Sequence, residues 1–199
     1  MNKYNSFTAL IQNEPPDSFE IEYRVRSEIC IVIAPHGGDI EPGTSEIADF
    51  IAGDNFSFYS FNGCKTNGNW DLHMASEKYD EKKALELVAA SETAISIHGA
   101  RKDEPKIYIG GLNTRLMSAI STALHRAGFP VGQVVPTKFG GVHPDNICNK
   151  CKTEQGVQIE LTHGLRQKMF KNLSQTGRKR KTDLFHLFVK TVRNVLNTV

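Results

Sequence analysis

No apolar run in the sequence approaches the roughly 18 residues that a membrane-spanning helix needs, so no segment is expected to cross a bilayer. The opening stretch, MNKYNSFTALIQNEPPDSFEIEYRV, has no apolar core ahead of a small-residue cleavage site, so a secretory signal peptide is not expected. Cytoplasmic synthesis is the expectation; release by cell lysis, with action outside the cell, would leave the same sequence. Cysteine is scarce, at four residues (Cys30, Cys64, Cys148 and Cys151), and Cys30 lies in an apolar run where a thiol behaves as a small hydrophobe. A disulfide framework is therefore not expected. An excess of one charge is also missing: the formal net charge is +2, which excludes a chain-wide polycation built for nucleic acid. No Pro/Ser-rich or Gly/Ser-rich linker divides the chain, and no repeat or low-complexity tract is visible.

What is present is an ordinary globular composition, 39% hydrophobic over 199 residues, enough for one sizeable core. The reading is one domain over residues 1–199, with a core from about 20 to 170 and a basic segment and amphipathic helix at 177–199. FEIEYRV alternates as a strand exposed on one face, and EICIVIAP reads as a strand covered on both. A helix capped by Thr44 or Ser45 runs to about Ile51, and NFSFYSFNG alternates again. Then come a helix in YDEKKALELVAASE, strands in TAISIHGA and KIYIGGL, and a helix capped by Asn113 or Thr114 and closed by Gly128. PVGQVV leads into an irregular stretch, Pro136 to Gly156, followed by the strand GVQIEL and a last helix, TDLFHLFVKTVRNVL. Strands alternating with helices predict a three-layer α/β fold around an open, mixed but mostly parallel sheet.

Ligand sites in such sheets gather at the carboxyl ends of strands. His36 and His98 each stand at such an end, Glu160 stands near a third, and Asp39 and Glu41 follow His36 in a Gly-rich turn. A lone histidine after a strand is more commonly a hydrogen-bonded turn residue, but two with neighbouring acids have the make-up of a hydrolytic zinc shell. His36, Glu41 and His98 are the expected ligands and Glu160 the expected general base, with Gln158, Glu160 and Thr162 forming one polar file.

APHGGDIEPGTSEIA, ISIHGA and GVQIEL together resemble the phage and Bacillus poly-γ-glutamate hydrolase family, zinc peptidases with a carboxypeptidase-like core. The resemblance covers about Ile31 to Arg166, leaving the two ends outside. It implies one Zn2+ per chain held by His36, Glu41 and His98, with Glu160 as the catalytic glutamate, in an enzyme that cleaves γ-glutamyl amide bonds; a monomer is the expectation. Carboxypeptidases space the first pair as His-x-x-Glu, which would select Asp39. Glu41 is taken because the family favours the later acid and its longer side chain reaches back over the turn; Asp39 is the alternative. DLHMASEKYDE resembles a family segment that would bring His73 near substrate. DNICNKC resembles another, placing Asn149 and Lys150 at the substrate, with lysine where the family has arginine.

Poly-γ-glutamate is a polyanion, and Arg101, Lys106, Arg115, Lys138, Lys150 and Arg166 are candidate cations for it. Arg101 and Arg166 are preferred because they follow site-bearing strands. Within the enzyme class, a zinc amidase or peptidase of another specificity is the alternative, and two other readings compete. GRKRKTD, with the helix after it, could bind nucleic acid phosphates, although an exposed, flexible connection to a helix packing by Leu184, Phe188, Val192 and Val195 is favoured. Cys148-x-x-Cys151, with His143 or His163, could form a structural zinc site.

Overall fold

The computed structural model describes residues 2–198. It contains one six-stranded sheet in the order β1-β3-β2-β4-β6-β5, made of β1 (Phe19–Arg24), β2 (Cys30–Gly38), β3 (Ser57–Gly63), β4 (Thr93–Ala100), β5 (Ile107–Gly111) and β6 (Val157–Thr162). The four central strands are parallel, and the edge strands β1 and β5 run antiparallel to their neighbours. The expected mixed, mostly parallel sheet is thus observed, with KIYIGGL forming the antiparallel edge.

Both faces of β2 are apolar because both are covered. Val32 and Ala34 join one core with α2 (Thr44–Ala52), α4 (Thr114–Arg126) and α7 (Asp183–Leu196), where Ile47, Ile120, Phe185 and Phe188 are fully buried. Ile31 and Ile33 point the other way, into a core with α1 (Phe7–Asn13) and α3 (Lys82–Ala89) that includes Leu10, Phe61 and Val88. Two short helices, α5 (His163–Met169) and α6 (Gln175–Arg178), complete the chain.

Several local expectations change. Gly43, at a φ of 99°, is the N-cap of α2, while the Thr44 and Ser45 hydroxyls serve the preceding turn. PVGQVV, for which no element is expected from the sequence, contributes a bridge from Val131 to Ile107. The basic cluster is not a flexible connection: Arg178 is buried with its guanidinium on Asp39 and Glu46, and Lys181 lies over Phe50 and Phe185. Two of its four consecutive cations are therefore committed within the fold. In α7, Phe185, Phe188, Val189, Val192 and Leu196 are buried, and Leu184 and Val195 pack at the margin.

The segment ahead of β1 is tied down by one carboxylate. Glu14 accepts from Tyr4 Oη at 2.6 Å, Lys3 Nζ at 2.9 Å and Lys65 Nζ at 2.9 Å. Burial by itself raises the Glu14 pKa, but the hydrogen bonds from Lys65, Tyr4 and Lys3 outweigh it and hold the group at about 2. A depressed carboxylate pKa contributes stability that is present above the ordinary value and lost as pH falls through the folded one. Glu14→Gln should therefore cost about 1–3 kcal/mol near neutrality, and the gap from the parent protein should close between about pH 5 and pH 2. Thermal melts of both proteins across that range are the check.

Candidate active site

The site begins near the carboxyl end of β2. Its pairing with β3 shifts register between Ala34 and Gly37, setting His36 at the break. A Cβ on Gly37 would lie 2.3 Å from both Ser45 Oγ and Ser60 Oγ, so only glycine lets the turn close there. The chain then folds back, with the Glu41 N–H donating to His36 O at 3.0 Å and Thr44 Oγ1 donating to Glu41 O at 2.9 Å. This return delivers Glu41 to His36. Asp39 points away, accepting from Arg178 Nη1 at 2.8 Å and from Gln175 Nε2 at 2.7 Å, and so takes no part in the cluster.

His36 Nε2 lies 2.6 Å from Met74 O; donation to that carbonyl leaves Nδ1 as a lone pair facing inward. His98 Nδ1 lies 3.1 Å from His36 Nδ1, and Glu41 Oε2 lies 3.5 Å and 3.8 Å from the two nitrogens. The same oxygen accepts the Gly99 N–H at 2.8 Å. All three side chains are buried, and His98 Nε2 has no hydrogen-bond partner among the described residues.

Burial, followed by the charge of His36, lowers the His98 pKa to about 3. Burial would raise Glu41, but His36 and then His98 and His73 hold it well below the usual carboxylate range. Neutral imidazoles beside an ionised carboxylate are the ligand-competent forms, and the cluster fits a divalent cation of the zinc type.

Glu160 sits beside His98 in the β4–β6 register. Burial and then the nearby Glu41 charge push its pKa well up, while Gln158 Nε2 donates to its Oε1 at 3.0 Å. Glu41, His98, Gln158 and Glu160 open onto a cleft of about 560 Å3. His73 lines it too, stacked on His36 at 3.8 Å between ring centroids, with Trp70 stacked on its other face at 4.2 Å. Arg101 covers Trp70, its Cζ 3.7 Å from the ring centroid.

The other candidates lie elsewhere. Arg166 lies behind the cleft surface: its buried guanidinium donates to Leu161 O and Pro42 O, bracing the ends of β6 and the Glu41 turn, and its charge acts on Glu41 and Glu160. Asn149 is buried, its Nδ2 donating to Gly141 O and His143 O, each at 2.9 Å, so it supports a cleft wall from behind. Lys150 is exposed and paired with Asp145. Lys106 pairs with Glu104, and the Thr162 hydroxyl accepts the Lys106 N–H. Cys148 and Cys151 are buried free thiols, and among the described residues no third ligand-type side chain joins them. Sequence reasoning did not place Trp70, Lys102, Phe139 or His143 in the cleft: Trp70, Phe139 and His143 lie in irregular stretches away from the strand ends, and Lys102 was passed over for its neighbour Arg101.

A Cβ on Gly99 would sit 2.6 Å from Arg166 Cζ and 2.9 Å from Glu41 Cβ. Gly99→Ala should thus cost about 1–3 kcal/mol in melts and weaken binding of added zinc in a calorimetric titration. In the same titration Asp39→Asn should retain the metal and Glu41→Gln should lose it; the reverse order would make Asp39 the ligand.

Known proteins provide the wider context. The family model described as poly-gamma-glutamate hydrolase matches residues 4–191, so the likeness extends well beyond the Ile31–Arg166 expected from the motifs. The chain is 36% identical to the UPF0714 protein YndL of Bacillus subtilis (strain 168) over 168 residues, 84% of this chain. It spans 66% of the length of that relative, just under two thirds. It is 31% identical to the SPbeta prophage-derived UPF0714 protein YoqZ of the same strain, covering 98% of this chain and 72% of the relative. Among solved structures, a bacteriophage poly-gamma-glutamate hydrolase superposes with a TM-score of 0.95 at 29% identity, covering 100% of this chain and 98% of the other. The zinc-free apo form of YndL also gives 0.95, at 33% identity, covering 99% and 98%. The match over nearly the whole chain, joined to these relatives and to the architecture they share with it, makes this chain a member of the poly-gamma-glutamate hydrolase family.

Proposed function

We propose that the protein is a zinc-dependent hydrolase that cleaves γ-glutamyl amide bonds of poly-γ-glutamate. The observation that carries this is the convergence of His36, Glu41 and His98 beside Glu160 in the cleft of a chain from this family. His36 Nδ1, His98 Nδ1 and the Glu41 carboxylate would hold one zinc, and a relative studied in a zinc-free form supports that metal. Bound there, zinc supplies Lewis acidity toward the scissile carbonyl and the attacking water.

The remaining work falls to the chain itself. Gln158 pins one oxygen of Glu160 and leaves the other to accept the proton of the attacking water. As the water oxygen bonds to the γ-carbonyl carbon and the C–N bond breaks, Glu160 returns that proton to the departing amine. Its burial next to the Glu41 charge raises its proton affinity, so a proton taken from the water is held on Glu160 until it passes to the amine. Arg101, laid flat on Trp70 and without a carboxylate partner among the described residues, receives an α-carboxylate of the substrate. The stacked His73 and Trp70 form the wall on which that residue lies.

Purified protein incubated with poly-γ-glutamate should shorten the polymer on size-exclusion chromatography. Chelator should abolish the cleavage, and added zinc should restore it. Glu160→Gln should lower kcat by about 10²–10⁴-fold with zinc still bound, whereas Arg101→Met should raise KM several-fold. An intact polymer alongside one tightly bound zinc per chain would move the activity to another amide substrate.

A further inference from the structure

The cleft is lined by three cations that pair with no carboxylate among the described residues: Arg101, Lys102 and Lys138. Other loop cations do have partners, as in Lys106 with Glu104 and Lys152 with Glu28 and Glu92. Arg101 and Lys102 are adjacent, just after β4, yet they leave the backbone toward different walls. Arg101 goes to Trp70, on the β2 side through the stack with His73 and His36. Lys102 goes to the β5 side, where its Nζ donates to Tyr108 Oη at 3.3 Å and lies 5.1 Å from that ring centroid.

On the β5 wall Tyr108 and Phe139 pack with ring centroids 5.4 Å apart, and with Ala100 they form an apolar cluster separate from both main cores. Two ammonium groups share the Phe139 ring, Lys138 Nζ at 4.8 Å and Lys102 Nζ at 5.8 Å from its centroid. The aromatic faces hold both cations while satisfying few of their donors. The same wall reaches Glu160 through Gln158, whose Nε2 lies 3.5 Å from Phe139 O.

We propose that Lys102 and Lys138, carried on the Tyr108–Phe139 pair, form a second carboxylate subsite, on the opposite side of the scissile bond from Arg101. This rests on the hydrolase reading above. In poly-γ-glutamate both residues flanking the broken amide carry a free α-carboxylate, so the cleft reads one on each wall. Specificity then comes from requiring two anions around one amide, which neither a neutral nor a singly charged amide provides.

The test uses γ-glutamyl tetramers amidated at one α-carboxyl position at a time, with the parent protein and Lys102→Met/Lys138→Met. Both lysines are exposed, so the variant should fold. The variant should raise KM for the free tetramer about three- to tenfold with kcat within about twofold, and one of the amidations should cease to matter. Lys102→Arg/Lys138→Arg should recover most of the loss. An unchanged KM, or full sensitivity to every amidation in the variant, would overturn the subsite. If the parent protein leaves both the polymer and all tetramers intact, the hydrolase reading fails by itself. Calorimetric binding of the same tetramers then decides the subsite: amidation that weakens binding only when the lysines are present upholds it, and amidation that acts equally without them overturns it.

Discussion

Two imidazole nitrogens 3.1 Å apart, with a carboxylate oxygen 3.5 Å from one and 3.8 Å from the other, form a buried cluster of lone pairs and negative charge. Such a cluster is unfavourable without a shared proton or a cation, so the surrounding chain must hold it. Met74 O sets the His36 ring, the Gly99 N–H fixes Glu41, and Thr44 ties both ends of the intervening turn. Further out, Arg166 grips Pro42 O, and Arg178 grips Asp39 and Glu46. Most of the buried polar chemistry near the carboxyl ends of β2, β4 and β6 thus serves one small set of atoms.

The cations divide into two groups with different roles. Arg178 is buried and paired with carboxylates, and Arg166 is buried with donors on carbonyls and its charge turned toward Glu41 and Glu160. Arg101, Lys102 and Lys138 lie on aromatic faces at the cleft, where a π surface restricts a cation while leaving donors for an incoming anion. A basic run is therefore a poor guide to ligand binding. The densest one, residues 178–181, gives up Arg178 and Lys181 to packing, whereas the cleft cations are scattered among unremarkable loops.

The fold was largely legible, because a parallel sheet covered on both faces writes itself as unbroken β-branched runs such as CIVI and amphipathic helices as their spacing. The His36, Glu41 and His98 cluster was legible for a related reason: strand ends are where side chains distant in sequence meet. The signals that failed were those with several structural solutions. Thr44 and Ser45 are ordinary capping residues, but the close approach of β2 and β3 drew their hydroxyls into the site turn. Arg166, Asn149 and Lys150 were the right residue types near the right segments, and backbone carbonyls or Asp145 took up their donors.

By itself the sequence determined most of the elements, the sheet class and the two strand-end histidines, because periodicity and strand-end position are local properties of the chain. The tertiary structure alone decided that Glu41 and not Asp39 turns toward His36, since that depends on a return of the backbone and on Arg178, 139 positions away from Asp39. It also decided which cations face the cleft and on which wall. Those outcomes follow from competition among distant partners for the same donors and acceptors, and only the closed packing of the chain resolves that competition.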